Sequence, residues 1–120
     1  MKLLLLIAAF SPIAVSNIPY TMTYEAVRTV FENQVVYAYT SSEDETDDTP
    51  FITAAGTQTR NGIVANNCHP FGTEVVIEGE TYVVEDMMNE RYGCHVWDVW
   101  HQTKDEAREW GKKIINVVKK

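Results

Sequence analysis

From Val35 onward the chain alternates apolar and polar positions at a period of two, interrupted every few residues by Gly, Pro, Asn or Asp. Such alternation belongs to strands with one face on a core, because successive side chains point to opposite faces. The segments VVYAYT (35–40), FITA (51–54), GIVAN (62–66), TEVVIEG (73–79), TYVVED (81–86), HVWDVW (95–100) and IINVV (114–118) therefore read as short strands. A different period appears twice. Residues 17–32 set Met22, Ala26, Val27, Val30 and Phe31 at three-to-four spacing, which predicts a short amphipathic helix or a poorly ordered lead-in. A second helix is predicted from Thr103, whose hydroxyl caps the start while Glu106 reaches back, with Ala107 and Trp110 on one side. Many short strands, Gly-bearing turns and a late helix predict a small closed or nearly closed β-barrel rather than a sandwich.

The first sixteen residues follow neither period. They contain Lys2, an unbroken apolar run from Leu3 to Phe10, and Ala14 and Ser16 at the small-residue positions of a cleavage site. This is the pattern of a secretory signal peptide, too short to span a bilayer. The expected organisation is a signal peptide at 1–16, a lead-in at 17–34 and one barrel domain at 35–120, exported to the periplasm or the extracellular space and free of the membrane once cleaved. What remains is long enough for one modest core.

Charge and cysteines then narrow the function. The net charge of −7 becomes more negative when Lys2 leaves, so approach to nucleic acid or to an anionic membrane face is repelled. Cys68 and Cys94 enter an oxidising compartment, where a disulfide is the expected state. Free thiols and a metal site remain alternatives, because His69 and His95 follow the two cysteines. Adjacent Cys-His side chains on extended backbone diverge, and neither pair has the spacing of a structural zinc loop, so no metal or other cofactor is expected. The acidic stretch SSEDETDDTP (41–50) reads as a solvated loop; a calcium site lacks the usual loop pattern, and a place at the mouth of a substrate groove stays open.

AYTSSEDETDDTPFITAAG, GIVAN, PFGTEVVIEG, YVVEDMMNERY and WDVW, in that order, resemble the 3D (three-aspartate) domain family of peptidoglycan-active proteins. In this resemblance Thr46, Asp47, Thr53, Ala54 and Gly56 correspond to the family's first tract. Pro70, Gly72 and Thr73 match its P-x-G-T turn, and Asp86 and Asp98 match its last two aspartates. Asn67 stands where the first aspartate is expected, and Asp86-Met87-Met88-Asn89 replaces the usual D-T-G-G. The resemblance implies a mainly β fold, a small six-stranded double-psi β-barrel with one or two short helices, related to the barrel of membrane-bound lytic transglycosylase A. It also implies peptidoglycan glycan strands as the partner and cleavage of the bond between N-acetylmuramic acid and N-acetylglucosamine.

The residues carry a matching chemistry. The two-residue period puts Tyr82, Val84 and Asp86 on one face of their strand, and Val96, Asp98 and Trp100 on one face of theirs. Carboxylates among apolar side chains hold a proton more firmly, which a general acid acting on a glycosidic oxygen requires. Asp98 takes the family position of the general acid/base, Asp86 that of a supporting acid, and Thr53 that of an orienting group. Tyr39, Tyr92, Trp97 and Trp100 are candidate platforms for sugar rings. Asn67, Asn89 and Arg91 offer donors for acetamido or lactyl oxygens. A non-catalytic glycan-binding or wall-loosening module and a scaffold without ligand are the competing classes. A single-domain monomer suffices for each.

Overall fold

The computed structural model describes residues 28–42 and 50–120. Six strands form a closed barrel: β1 (Thr29–Tyr39), β2 (Ile63–Ala65), β3 (Glu74–Ile77), β4 (Glu80–Asp86), β5 (Val96–Trp100) and β6 (Lys113–Lys119). Around the barrel the order is β1-β5-β2-β4-β3-β6, with β6 returning to β1. The β1/β5 and β2/β4 pairs are parallel, and the remaining neighbours are antiparallel. This closed, mixed six-stranded barrel is of the double-psi type, and closure leaves no strand edge unpaired. One short helix, α1 (Lys104–Trp110), connects β5 to β6. Among the described residues no helix is long and apolar enough to cross a membrane.

The interior is filled from alternate positions of every strand. Val36, Val64, Val75, Ile77, Val84, Trp97, Val99 and Val117 form the main core, all essentially without solvent exposure. A second cluster of Tyr39, Ile63, Ala65 and Trp100, with Met88 packed against it, occupies the opposite face of the neighbouring strands. The β2 segment Ile63–Ala65 therefore feeds both clusters, and all three of its residues are buried.

Local signals explain several element ends. Thr103 caps α1 by accepting the Glu106 N–H at 3.2 Å, and Ile114 already belongs to β6. The β3–β4 hairpin turns through Glu78 and Gly79, both at positive φ, as a tight two-residue turn demands. Gly72, at φ 93°, completes the turn closed by the Thr73 N–H on the Pro70 carbonyl.

Two expected elements differ. Residues 29–34 are strand rather than helix, so the barrel includes them; residues 17–27, like the signal segment 1–16, lie outside the described residues. The cause is a register shift between Phe31 and Gln34 against β6, with Asn33 at φ 55°. The extra residue breaks the two-residue alternation between Phe31 and Val36, so this strand does not read as one continuous period. FITA is not a ladder strand either. It contributes one isolated bridge, Ile52 with Gln58, and both Phe51 and Ile52 are exposed.

Candidate functional site

Residues 66–68 and 87–95 form a connected support beneath β5. Asn66, only 1% exposed, donates its amide to the Cys94 and Val96 carbonyls at 3.1 and 3.0 Å. Its oxygen accepts the Cys68 and His69 N–H groups at 2.8 and 3.1 Å. One side chain thus satisfies backbone groups from two chain segments, as buried polar atoms require. The Cys68–Cys94 disulfide joins the same two segments, with the Cα atoms 5.3 Å apart. Asn67 continues this support: its amide donates to the Asn89 and Tyr92 carbonyls, and its oxygen accepts the Met88 N–H at 2.7 Å.

The two aspartates reach the same side of the sheet by different routes. On β5, Asp98 alternates with the core residues Trp97 and Val99 and so faces out of the barrel. It is in register with Tyr37 of β1 on one side and Ala65 of β2 on the other. On β4, simple alternation would leave Asp86 beside Val84 in the interior. A register shift opposite Val64 and Ala65 instead pairs Asp86 with Ala65, and a one-residue slip reverses the face. Tyr37, Asp98, Ala65 and Asp86 consequently lie in one cross-strand row, with the two aspartate Cα atoms about 9.5 Å apart, two strand spacings.

Tyr39 links them. Its hydroxyl donates to Asp86 Oδ2 at 2.7 Å. Burial first, then that hydrogen bond and the charges of Asp86 and Asp98, push the phenol far above its ordinary range, so it remains a donor. The other Asp86 oxygen accepts the Ala54 and Met87 N–H groups, each at 3.0 Å. Asp86 is therefore fully engaged with the protein. The extra residue of the shift, Glu85, faces away: it accepts both Arg60 guanidinium nitrogens at 2.8 and 2.7 Å and the Thr57 hydroxyl at 2.5 Å. The Arg60 contact holds the Glu85 carboxyl below the usual range.

Asp98 opens on a groove of about 430 Å³ lined by Tyr37, Tyr39, Met88, Tyr92, Lys104 and Arg108, with small walls from Ala38 and Ala107. That volume lies in the range of small-molecule sites. Asp98 supplies the one carboxylate among these lining residues, and its Oδ1 is shielded from solvent.

The expected site residues divide accordingly. Asp98, Tyr39 and Tyr92 line the groove. Asp86 stands behind Tyr39. Thr53 is buried and does not line it: its hydroxyl bonds to that of Thr57 at 2.7 Å and accepts the Thr57 N–H, ordering the turn whose Ala54 N–H meets Asp86. Asn67 and Asn89 shape the 87–92 loop, where Asn89 Oδ1 accepts the Arg91 N–H. Arg91 lies over the Tyr92 ring and donates to its hydroxyl at 2.9 Å. Trp97 and Trp100 are core residues rather than sugar platforms. Trp97 is 0% exposed, donates to Gln34 Oε1 at 2.8 Å and stacks on His69. Trp100 is 8% exposed and donates to Ser41 Oγ. Thr46, Asp47 and the acidic run at 43–49 lie outside the described residues.

Sequence reading missed Tyr37, Met88, Lys104 and Arg108 as groove residues, and Asn66 as the buried support. The i, i+4 spacing of Lys104 and Arg108 was the available signal for one wall. Both cysteines are in the disulfide, and among the described residues no group of three or more His, Cys, Asp and Glu side chains is arranged to hold a metal ion. Comparison with protein-family models and with curated proteins finds no match. The protein is thus defined by its architecture and groove: a small, disulfide-linked, closed mixed β-barrel whose groove is lined, among the described residues, by the Asp98 carboxylate.

Proposed function

We propose that this barrel is a lytic-transglycosylase-like enzyme that acts as an exported monomer on peptidoglycan glycan strands, at the bond between N-acetylmuramic acid and N-acetylglucosamine. The observation that carries the reading is the asymmetry of the two aspartates: Asp98 faces a tyrosine-walled groove, whereas three protein donors occupy Asp86. Hydrolytic glycosidases need two carboxylates at the scissile bond, one for the leaving oxygen and one for water or the anomeric carbon. Among the described residues Asp98 is the one carboxylate lining the groove, which is compatible with a reaction that needs no water. Asp98 protonates the leaving sugar oxygen and then takes the proton of the muramic C6 hydroxyl as that oxygen closes on C1, giving a 1,6-anhydro end. Tyr39 and Asp86 hold the floor beneath it, and Tyr37 and Tyr92 offer ring faces to the pyranoses.

The engagement of Asp86 also favours a second reading, a glycan-binding module that wraps the strand without cleaving it. Digestion of purified peptidoglycan by the mature protein, with mass analysis of the released fragments, distinguishes them. Products lighter than the hydrolytic fragments by one water support the transglycosylase, and retention on insoluble wall without release supports the binder. Neither release nor retention rejects both.

A further inference from the structure

We propose that Asn67 is a positioning residue of the groove: it does not meet the ligand but fixes Met88 and Tyr92 in the groove wall from behind, a task that requires an amide at this position. The inference rests on the glycan reading above only for what the wall receives. Met88 and Tyr92 line the groove with Asp98, and Asn67 does not. It borders a separate hollow with His69, Pro70, Phe71 and Met87 instead. From there its side chain holds the backbone of the two wall residues themselves. Its oxygen accepts the Met88 N–H at 2.7 Å, and its amide donates to the Tyr92 carbonyl at 3.2 Å and to the Asn89 carbonyl at 2.9 Å. The Tyr92 N–H closes on that same Asn89 carbonyl at 3.0 Å, so one side chain spans the turn from Met88 to Tyr92.

Met88 packs against the Tyr39, Ile63, Ala65 and Trp100 cluster, and the Tyr92 ring centroid lies 6.3 Å from that of Tyr37, another groove residue. Both wall residues are only half-buried, so their placement depends on the backbone that carries them. An amide of this reach has donor hydrogens and an acceptor oxygen, whereas a carboxylate only accepts. In Asn67→Asp the Met88 contact survives, but the carboxylate meets the Asn89 and Tyr92 carbonyl oxygens with no hydrogen between them. Like partial charges then drive that end of the turn away. Carbonyl oxygens facing a carboxylate favour its protonated form, and protonation returns one donor. The barrel and the segment beyond Tyr92 keep their own supports, because the Cys68–Cys94 disulfide and the Asn66 contacts to the Cys94 and Val96 carbonyls are untouched.

The test uses full-length mature protein carrying Asp98→Asn, which prevents turnover, as the parent. The Met88 methyl is followed by NMR with isotope-labelled methionine methyls, assigned through Met88→Leu, and a soluble strand of alternating N-acetylglucosamine and N-acetylmuramic acid is titrated into the same samples. In the parent the Tyr39 and Trp100 rings displace the Met88 resonance from that of free methionine. Adding Asn67→Asp at neutral pH should move it toward the free position. Strand affinity should fall on the order of tenfold, because Met88 and Tyr92 must then be ordered at the moment of binding. Both should recover as pH is lowered through the titration of the introduced carboxylate. His69 on the same segment, and Asp86, Glu90, Arg91 and His95 on the segment packed against it, also carry or gain charge, so each value is read against the parent at the same pH. Asn67→Ala should show both losses at every pH. A methyl resonance unmoved by either substitution, or losses in Asn67→Asp that persist on acidification, overturn the inference. A methyl that moves while strand affinity holds overturns it too, since the wall then has no part in binding. Displacement and recovery of the methyl in a parent that does not bind the strand overturn the glycan reading and leave Asn67 as the residue that sets the wall.

Discussion

Replacing each aspartate by asparagine separates structure from chemistry at the row of Asp98 and Asp86. Asp86 accepts three hydrogen bonds, from the Tyr39 hydroxyl and from the Ala54 and Met87 N–H groups. In Asp86→Asn the new side chain keeps an oxygen for the two backbone donors and turns its amide toward Tyr39, so the contacts persist but lose their charge. A hydrogen bond to a charged acceptor contributes about 1 kcal/mol more than a neutral one, so Asp86→Asn should cost about 3 kcal/mol of stability. For a domain of this size that corresponds to a melting temperature lower by roughly 10–20 °C. Asp98→Asn removes the acidic proton at the groove and should lower cleavage at least ~10²-fold. The assay is thermal unfolding by circular dichroism beside muropeptide release, measured well below both melting temperatures. Near-wild-type release by Asp98→Asn would refute the acid assignment. Unchanged melting of Asp86→Asn would refute the structural role assigned to its three hydrogen bonds.

Other consequences follow from the supports around the groove. Reducing the Cys68–Cys94 bridge, whose ends are 26 residues apart, should lower stability by roughly 3–4 kcal/mol, read as a shift of the urea midpoint with and without reductant; denatured, unreduced protein should show no titratable thiol. Asn66→Ala strands four backbone contacts, one buried and three part-buried, and should cost about 3 kcal/mol, whereas exposed Asn61→Ala should cost under about 0.5 kcal/mol in the same denaturation series. Glu85 has its folded pKa depressed by Arg60, so its stabilisation is present above its ordinary value of 4.5 and is lost as pH falls through the lower folded value. The melting-temperature gap between wild type and Glu85→Gln should therefore be widest near neutrality and close on acidification. A gap constant from pH 7 to pH 3 would contradict that linkage.

Local patterns determined much of this protein. Alternation of apolar residues located the strands from Ile63 to Val118, because a side chain's face on a strand depends on parity alone. The cap at Thr103 and the turn at Gly72 were equally legible, since each depends on a few neighbouring residues. The pairing of Cys68 with Cys94 followed from their number and expected compartment. Tertiary structure decided the rest. Parity fails where a strand slips against its partner, so neither the strand across Thr29–Tyr39 nor the outward turn of Asp86 after Glu85 was visible in one segment alone. Trp97 and Trp100 are equally able to fill a core or to meet a sugar, and barrel closure placed them in the two buried clusters. Lys104 and Arg108 share one helix face by their i, i+4 spacing, which by itself does not say what that face meets. They became a groove wall because α1 packs against β1, beside the strand that carries Asp98.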